Sequence, residues 1–205
     1  MLIDIDTLDS VRRDIRIIVN IPGRYSLASK RNDRGNRRVF ACRSVHMTAT
    51  AITLAAPVLG PVGERVIAHV EQFGKVEGAI SRVLERGFVI STQGTAADRA
   101  KVEQKLIWLE KHKNLELPDS RQGERIVPQN PHSTLTLADG THAGCFVIDM
   151  SETGAAVSAE AQPKLGEVLA LGRAIGRVVR LFPEGFALKF VQCLAAGAIE
   201  QTIIA

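Results

Sequence analysis

The sequence predicts an all-β fold with added helices, built as two small antiparallel β-barrels in tandem that are joined by a helix and a short linker. Three observations predict it: a length of 205 residues, an internal repeat, and runs of short strands separated by turn residues. This length suits two domains of roughly 100 residues each. We place them at residues 1–117 and 118–205, and expect each to have its own hydrophobic core.

The internal repeat relates the two halves of the chain at an offset of about 103 residues. The segment CRSVHMTATAITLAAP, which starts at Cys42, aligns with CFVIDMSETGAAVSAE, which starts at Cys145. Farther along, Gly78 to Arg82 matches Gly176 to Arg180, and the offset there is five residues shorter. A longer hairpin at Phe73 to Val76 in the first copy explains the change. A repeat of this extent indicates duplicated domains.

The second copy carries the strand pattern most clearly. Residues Ser133 to Ala138 alternate polar and apolar side chains, and Asp139-Gly140 supplies a tight hairpin turn before the apolar run Cys145 to Ile148. Three further short strands follow between turn residues: Glu167 to Leu171, Ile175 to Leu181 and Phe186 to Phe190. Five or six short strands at hairpin spacing predict a small antiparallel barrel.

Two helices complete the predicted fold. The first begins near Thr95 and ends before Pro118, with Val102 and Leu106 on one apolar stripe. The second is short, spans about Leu194 to Ile203, and is expected to cover the end of the second barrel.

Composition limits the classes of function. The net charge of +4 suits an anionic partner. The cysteines Cys42, Cys145 and Cys193 form no CxxC pair, which predicts neither a disulfide framework nor a zinc site and favours a reducing compartment. No signal peptide is expected, and the longest apolar stretch is shorter than the ~20 residues of a membrane span. We therefore expect a cytoplasmic protein. The basic stretch Arg24 to Arg38 is either a solvated loop or a contact for an acidic partner or nucleic acid.

Two short motifs flank the first strand pair of the second copy. RQGER, from Arg121 to Arg125, is an RxxxR, and DMSETG, from Asp149 to Gly154, is a DxSxxG. RxxxR recurs elsewhere in the chain, but only this pair stands at a domain entrance. In this order, and with the tail GRVVRLFPEGFALKF, these motifs resemble the PilZ family. The resemblance covers nearly all of the second copy, and the repeat extends it to the first.

The resemblance implies a cyclic di-GMP site formed by Arg121, Arg125, Asp149, Ser151 and Gly154. These residue types suit that ligand. An arginine can bond guanine O6 and N7 together and can also pair with phosphate. Asp149 can accept hydrogen bonds from the N1–H and N2–H₂ edge of guanine. Gly154 is expected to allow a positive φ and a close approach of the ligand. Alternatively, the arginines are solvated linker charges and the second motif is a plain turn at a strand end.

The first copy departs from the motif pattern. His46, Thr48 and Ala51 stand where the second copy has the aspartate, serine and glycine of DxSxxG. Arg12 and Arg16 do retain the RxxxR spacing. We predict a degenerate first barrel that serves as a docking or dimerisation module, which makes a homodimer one expected assembly.

The motifs favour a receptor over an enzyme. The chain contains no P-loop, no GxSxG elbow and no HExxH motif, so we expect no catalysis, no cofactor and no bound metal. The predicted function is a cyclic di-GMP receptor whose ligand changes the arrangement of the two barrels and thereby regulates a protein partner. The family resemblance suggests motility, exopolysaccharide or adhesion as the regulated process. The alternative is an interaction scaffold with relic motifs. Nucleic-acid binding is disfavoured because aromatic residues, which stack on bases, make up only 4% of the chain.

Overall fold

Two closed, six-stranded antiparallel barrels form the fold, as the sequence predicts. We describe residues 17–92, 94–111 and 125–204 of a computed structural model. The first barrel has the strand order β1-β2-β3-β6-β5-β4. Its strands are β1 (Ile17–Leu27), β2 (Phe40–Met47), β3 (Ala51–Ala55), β4 (Arg65–Val70), β5 (Gly74–Leu84) and β6 (Gly87–Thr92).

The second barrel repeats this topology strand for strand, with the order β7-β8-β9-β12-β11-β10. Its strands are β7 (His132–Thr136), β8 (His142–Ser151), β9 (Gly154–Ala159), β10 (Val168–Leu171), β11 (Ala174–Phe182) and β12 (Gly185–Phe190). The β4–β5 hairpin of the first barrel has six residue pairs where the β10–β11 hairpin has four, so the longer hairpin predicted at Phe73 to Val76 is confirmed. The predicted domain boundary at residues 117/118, and the linker around it, lie outside the described residues.

Matching β-bulges confirm that the barrels are copies of one pattern. Each barrel has one bulge between its second and third strands and one between its fifth and sixth, and both fall at equivalent repeat positions. The bulges between the second and third strands are at Ser44/His46 and Val147/Asp149. Those between the fifth and sixth strands are at Ile80/Arg82 and Val178/Arg180. A bulge redirects the side chains that follow it. The one in β8 immediately precedes Asp149.

The first barrel encloses an aromatic core that a helix closes. Tyr25 packs against Phe40 and Phe88 at centroid distances of 5.6 and 5.3 Å. The helix α1 (Ala96–Lys111) begins one residue after Thr95, near which its start was predicted. It contributes Leu106, which is fully buried in this core. At its start Thr95 and Asp98 cap each other: the Asp98 amide donates to Thr95 Oγ1 at 3.2 Å and the Thr95 amide donates to Asp98 Oδ2 at 3.1 Å.

The C-terminal helix closes the second barrel, although it is shorter than predicted. A single 3₁₀ turn (Ala196–Ala198) leads into α2 (Ile199–Ile203). Ile199 and Ile203 are buried in the barrel core, and the hydroxyl of Ser133 on β7 donates to the carbonyl oxygen of Ile203. None of the helices in the described part of the chain is long and apolar enough to cross a membrane.

The two barrels contact each other through polar bonds from β2 and the loop before it to β9 and the residue that follows it. The Ala41 amide donates to Ser158 Oγ at 3.0 Å, and Arg38 Nη2 donates to the carbonyl oxygen of Glu160 at 2.8 Å. Lys30 forms an ion pair with the Glu160 carboxylate. Part of the basic stretch Arg24 to Arg38 therefore contacts an acidic residue of the second barrel of the same chain.

Candidate functional site

Arg125, the last residue of the RxxxR motif, lies beside the DxSxxG motif at the end of β8. Ile126 and Met150 form an antiparallel bridge, in which the Ile126 amide donates to the Met150 carbonyl at 2.8 Å and the Met150 amide donates back at 2.9 Å. This bridge adds the chain before β7 to the outer edge of β8. Arg125 directly precedes the bridge and Asp149 directly precedes Met150, so the bridge brings these two side chains together.

Arg125 and Asp149 form an ion pair across this bridge. Arg125 Nη1 lies 3.0 Å from both Asp149 Oδ1 and Oδ2. The arginine side chain is 51% exposed and the aspartate 21% exposed. An ion pair with this exposure contributes about 0–1 kcal/mol to stability. A ligand can therefore replace it at little energetic cost, and both charged groups stay accessible to one.

Ser151 stabilises the turn between β8 and β9. Its Oγ accepts from the Thr153 amide at 3.4 Å and donates to the carbonyl oxygen of Gly154 at 3.3 Å. In the first barrel Thr48 has the same role, because its Oγ1 accepts from the Ala51 amide at 3.0 Å. A hydroxyl at this position thus supports the turn in both barrels, including the one without the other motif residues.

Close packing between two strands requires a glycine at position 154, and the prediction that Gly154 has a positive φ is wrong. Glycines with positive φ occur at other turns of the described chain, but Gly154 is not among them. A Cβ on Gly154 would overlap the carbonyl oxygen of Leu188 on the neighbouring strand β12 and would reach its carbonyl carbon at 3.4 Å. The glycine therefore allows β9 and β12 to approach each other beside the motif.

Four of the five predicted site residues lie together around the β8–β9 turn and its neighbouring segment: Arg125, Asp149, Ser151 and Gly154. Arg121 lies outside the described residues. In the first barrel His46 on β2 holds the position equivalent to Asp149, whereas Arg12 and Arg16 are also outside the described residues. No group of three or more His, Cys, Asp and Glu side chains that could hold a metal occurs in the described ranges.

Sequence reasoning missed Arg43, which links the first barrel to the segment between Arg125 and β7. Arg43 lies on β2 and is only 6% exposed. Its Nη1 donates to the carbonyl oxygen of Pro128 at 2.8 Å, and its Cζ lies 5.8 Å from the ring centroid of Phe146. The repeat contains the signal: Arg43 aligns with Phe146, so one copy has an arginine where the other has a buried aromatic residue.

Comparison with known families identifies the second barrel. The family model described as PilZ domain matches residues 119–203, a range that includes all six strands of this barrel and both motifs. The second barrel is a PilZ domain. The first barrel, which lies outside that range, shares the strand order and these bulge positions with the second barrel.

Several solved structures resemble the chain over most of its length at low identity. They include the Bacillus subtilis inhibitor of motility (11% identity, 91% of this chain and 94% of that chain, TM-score 0.30) and the Borreliella burgdorferi PlzA protein in complex with c-di-GMP (12%, 98% and 92%, TM-score 0.27). Escherichia coli YcgR in complex with c-di-GMP is a third (16%, 85% and 76%, TM-score 0.26). No curated protein matches the chain. Because these TM-scores are low, the assignment of the second barrel depends on the family match alone.

Proposed function

We propose that the chain is a cyclic di-GMP receptor that holds its ligand between the segment Arg121 to Arg125 and the β8–β9 turn of the PilZ domain. One observation carries this proposal: Arg125 and Asp149, 24 residues apart in sequence, face each other as an exposed ion pair at a domain entrance. The resemblance to the PilZ family supports cyclic di-GMP as the ligand of these motif positions.

The chemistry of the pair fits a guanine nucleotide that also carries phosphates. Arg125 contacts Asp149 through Nη1, so rotation of its guanidinium can direct a planar fork toward guanine O6 and N7 or toward a phosphate. The released Asp149 carboxylate can accept from guanine N1–H and N2–H₂. Each charge-assisted bond contributes about 1.5–3 kcal/mol, which exceeds the stabilisation lost with the exposed pair.

The proposed output is a change in how the segment before β7 connects the barrels. The barrels already contact each other through Ser158 and Glu160. A ligand that binds this segment and the β8–β9 turn together would favour one arrangement of the chain between the barrels. That arrangement would present a surface to a protein partner in the cytoplasm, and the family resemblance suggests control of motility, exopolysaccharide or adhesion. The role is one of binding and not of catalysis.

Isothermal calorimetry of the purified full chain tests the proposal. We expect cyclic di-GMP to bind in the micromolar range or tighter, roughly −8 kcal/mol or better, and GTP and cyclic di-AMP to bind much more weakly. One ligand per chain would leave the first barrel without ligand, whereas two per chain would fit either a stacked pair at the second barrel or one ligand on each barrel. Absence of heat and of any thermal shift at high cyclic di-GMP would favour the scaffold alternative, in which the motifs are relics.

A further inference from the structure

The chain between Arg125 and β7 is fixed to the protein at three places. Ile126 bridges Met150 on β8. The carbonyl oxygen of Pro128 accepts from Arg43 of the first barrel at 2.8 Å, and the carbonyl oxygen of Pro131 accepts from the Val147 amide at 2.6 Å. The middle contact is the one supplied by the other barrel. Pro128 lies three residues along the chain from Arg125.

Arg43 is buried, which is unusual for an arginine. Only 6% of its surface is exposed, and its guanidinium carbon lies 5.8 Å from the centroid of the Phe146 ring. Burial lowers the pKa of this side chain, and a buried cation is costly unless it is well bonded. Arginine suits this position because its flat guanidinium can face an aromatic ring and still donate to a carbonyl oxygen.

We propose that Arg43 is a positioning residue for the ligand site of the second barrel: by holding Pro128 it fixes the segment that presents Arg125 to Asp149. This inference rests on the proposed function. The first barrel, which lacks the DxSxxG residues, thus contributes to ligand binding without touching the ligand. If the segment occupies the binding-competent arrangement for only a fraction of the time, the apparent affinity for the ligand falls in proportion to that fraction.

Arg38 provides a matched control. It also belongs to the first barrel, and its Nη2 also donates to backbone carbonyl oxygens of the second barrel, those of Ala159 at 3.3 Å and Glu160 at 2.8 Å. Those carbonyls lie at the end of β9 and not in the segment that carries Arg125. If loosening the barrel contact in general weakens the site, Arg38→Met and Arg43→Met will act alike. If Arg43 positions the segment, only Arg43→Met will have the effect.

The first measurement needs no ligand. Hydrogen exchange of the Ile126 amide, which donates to Met150 at 2.8 Å, is compared with exchange of the β12 amides, which report opening of the barrel as a whole. We expect Arg43→Met to accelerate exchange at Ile126 by about tenfold relative to β12, and Arg38→Met to leave this ratio unchanged. Equal ratios in the wild type and both variants would overturn the inference, and so would equal acceleration in both variants.

The second measurement is the affinity for cyclic di-GMP of the same full-length proteins. We expect about tenfold weaker binding for Arg43→Met and wild-type affinity for Arg38→Met. Arg43→Lys, which keeps the charge but not the planar face, should have an intermediate affinity. The lysine variant also covers the case in which the methionine variant does not fold. Wild-type affinity in both Arg43 variants would overturn the inference alone. A wild-type chain that binds no cyclic di-GMP would overturn the proposed function, and the exchange measurement would still decide whether Arg43 holds the segment.

Discussion

Replacing Gly154 by alanine separates a packing role from a ligand role at the DxSxxG motif. The added Cβ would lie well inside 3.0 Å of the Leu188 carbonyl oxygen and at 3.5 Å from the Cα of Lys189. These are backbone atoms of β12, so the clash cannot be relieved by rotating a side chain. The two strands must move apart where β9 and β12 are paired.

The expected cost follows from that geometry. Overpacking by one carbon against fixed neighbours costs about 1–3 kcal/mol. In a domain of roughly 60–100 residues, each kcal/mol lowers the Tm by about 4–8 °C. We therefore expect Gly154→Ala to lower the Tm of the second barrel by at least several degrees without any ligand present, as measured by differential scanning calorimetry.

Gly144 supplies the control for this experiment. It lies on β8 in the same barrel, and a Cβ built on it meets no atom within 4 Å. Gly144→Ala is expected to be neutral or to raise stability by up to about 1 kcal/mol, because it restricts the unfolded chain. Equal Tm values for the wild type and Gly154→Ala, combined with loss of cyclic di-GMP binding, would refute the packing explanation and assign the glycine to the ligand.

Three further predictions concern stability, pH dependence and thiol reactivity. Tyr25→Phe should cost about 1–3 kcal/mol in urea unfolding, because the buried hydroxyl donates to the Val58 carbonyl at 2.5 Å and accepts from the Val58 amide at 3.1 Å; an unchanged midpoint would contradict this. Burial lowers the pKa of His132, so the unfolded chain takes up a proton just below pH 6.5 while the folded chain does not. The unfolding free energy should then fall as the pH drops from 7 through this window, by at most about 1.4 kcal/mol per pH unit, and His132→Gln should remove that part of the slope. A thiol reagent should modify Cys193, which is exposed, and spare Cys145, whose pKa burial raises to about 12; two or more fast-reacting thiols per native chain would be inconsistent with the described burial.

The repeat predicted the architecture because both copies keep the residues that define a barrel. The offset between Cys42 and Cys145 identified equivalent strands, and the change of offset located the longer β4–β5 hairpin. The turn at Asp139-Gly140 and the helix start at Thr95 were also predicted, because a short-range interaction specifies each of them. Thr95 and Asp98, for example, are three residues apart and cap the same helix.

Features that depend on contact between distant segments could not be predicted in the same way. The packing role of Gly154 depends on Leu188, and nothing near the glycine indicates how closely that strand approaches. The hydrogen bond from Arg38 to the backbone carbonyl of Glu160 joins residues that are 122 positions apart. The basic stretch alone therefore did not reveal that part of it contacts the second barrel of the same chain. Arg43 could have been noticed because it aligns with Phe146, but its partner Pro128 follows only from the placement of the two barrels.

Titration of Asp149→Asn with cyclic di-GMP tests the central claim most directly. The substitution keeps the size of the side chain and removes the carboxylate that faces Arg125, and Asp139→Asn in the exposed β7–β8 turn is the matched control. We expect the affinity to fall by about 10- to 100-fold for Asp149→Asn, which corresponds to loss of a charge-assisted hydrogen bond, and to stay at the wild-type value for Asp139→Asn. Wild-type affinity in Asp149→Asn, with an unchanged Tm, would contradict the placement of the ligand between Arg125 and the β8–β9 turn.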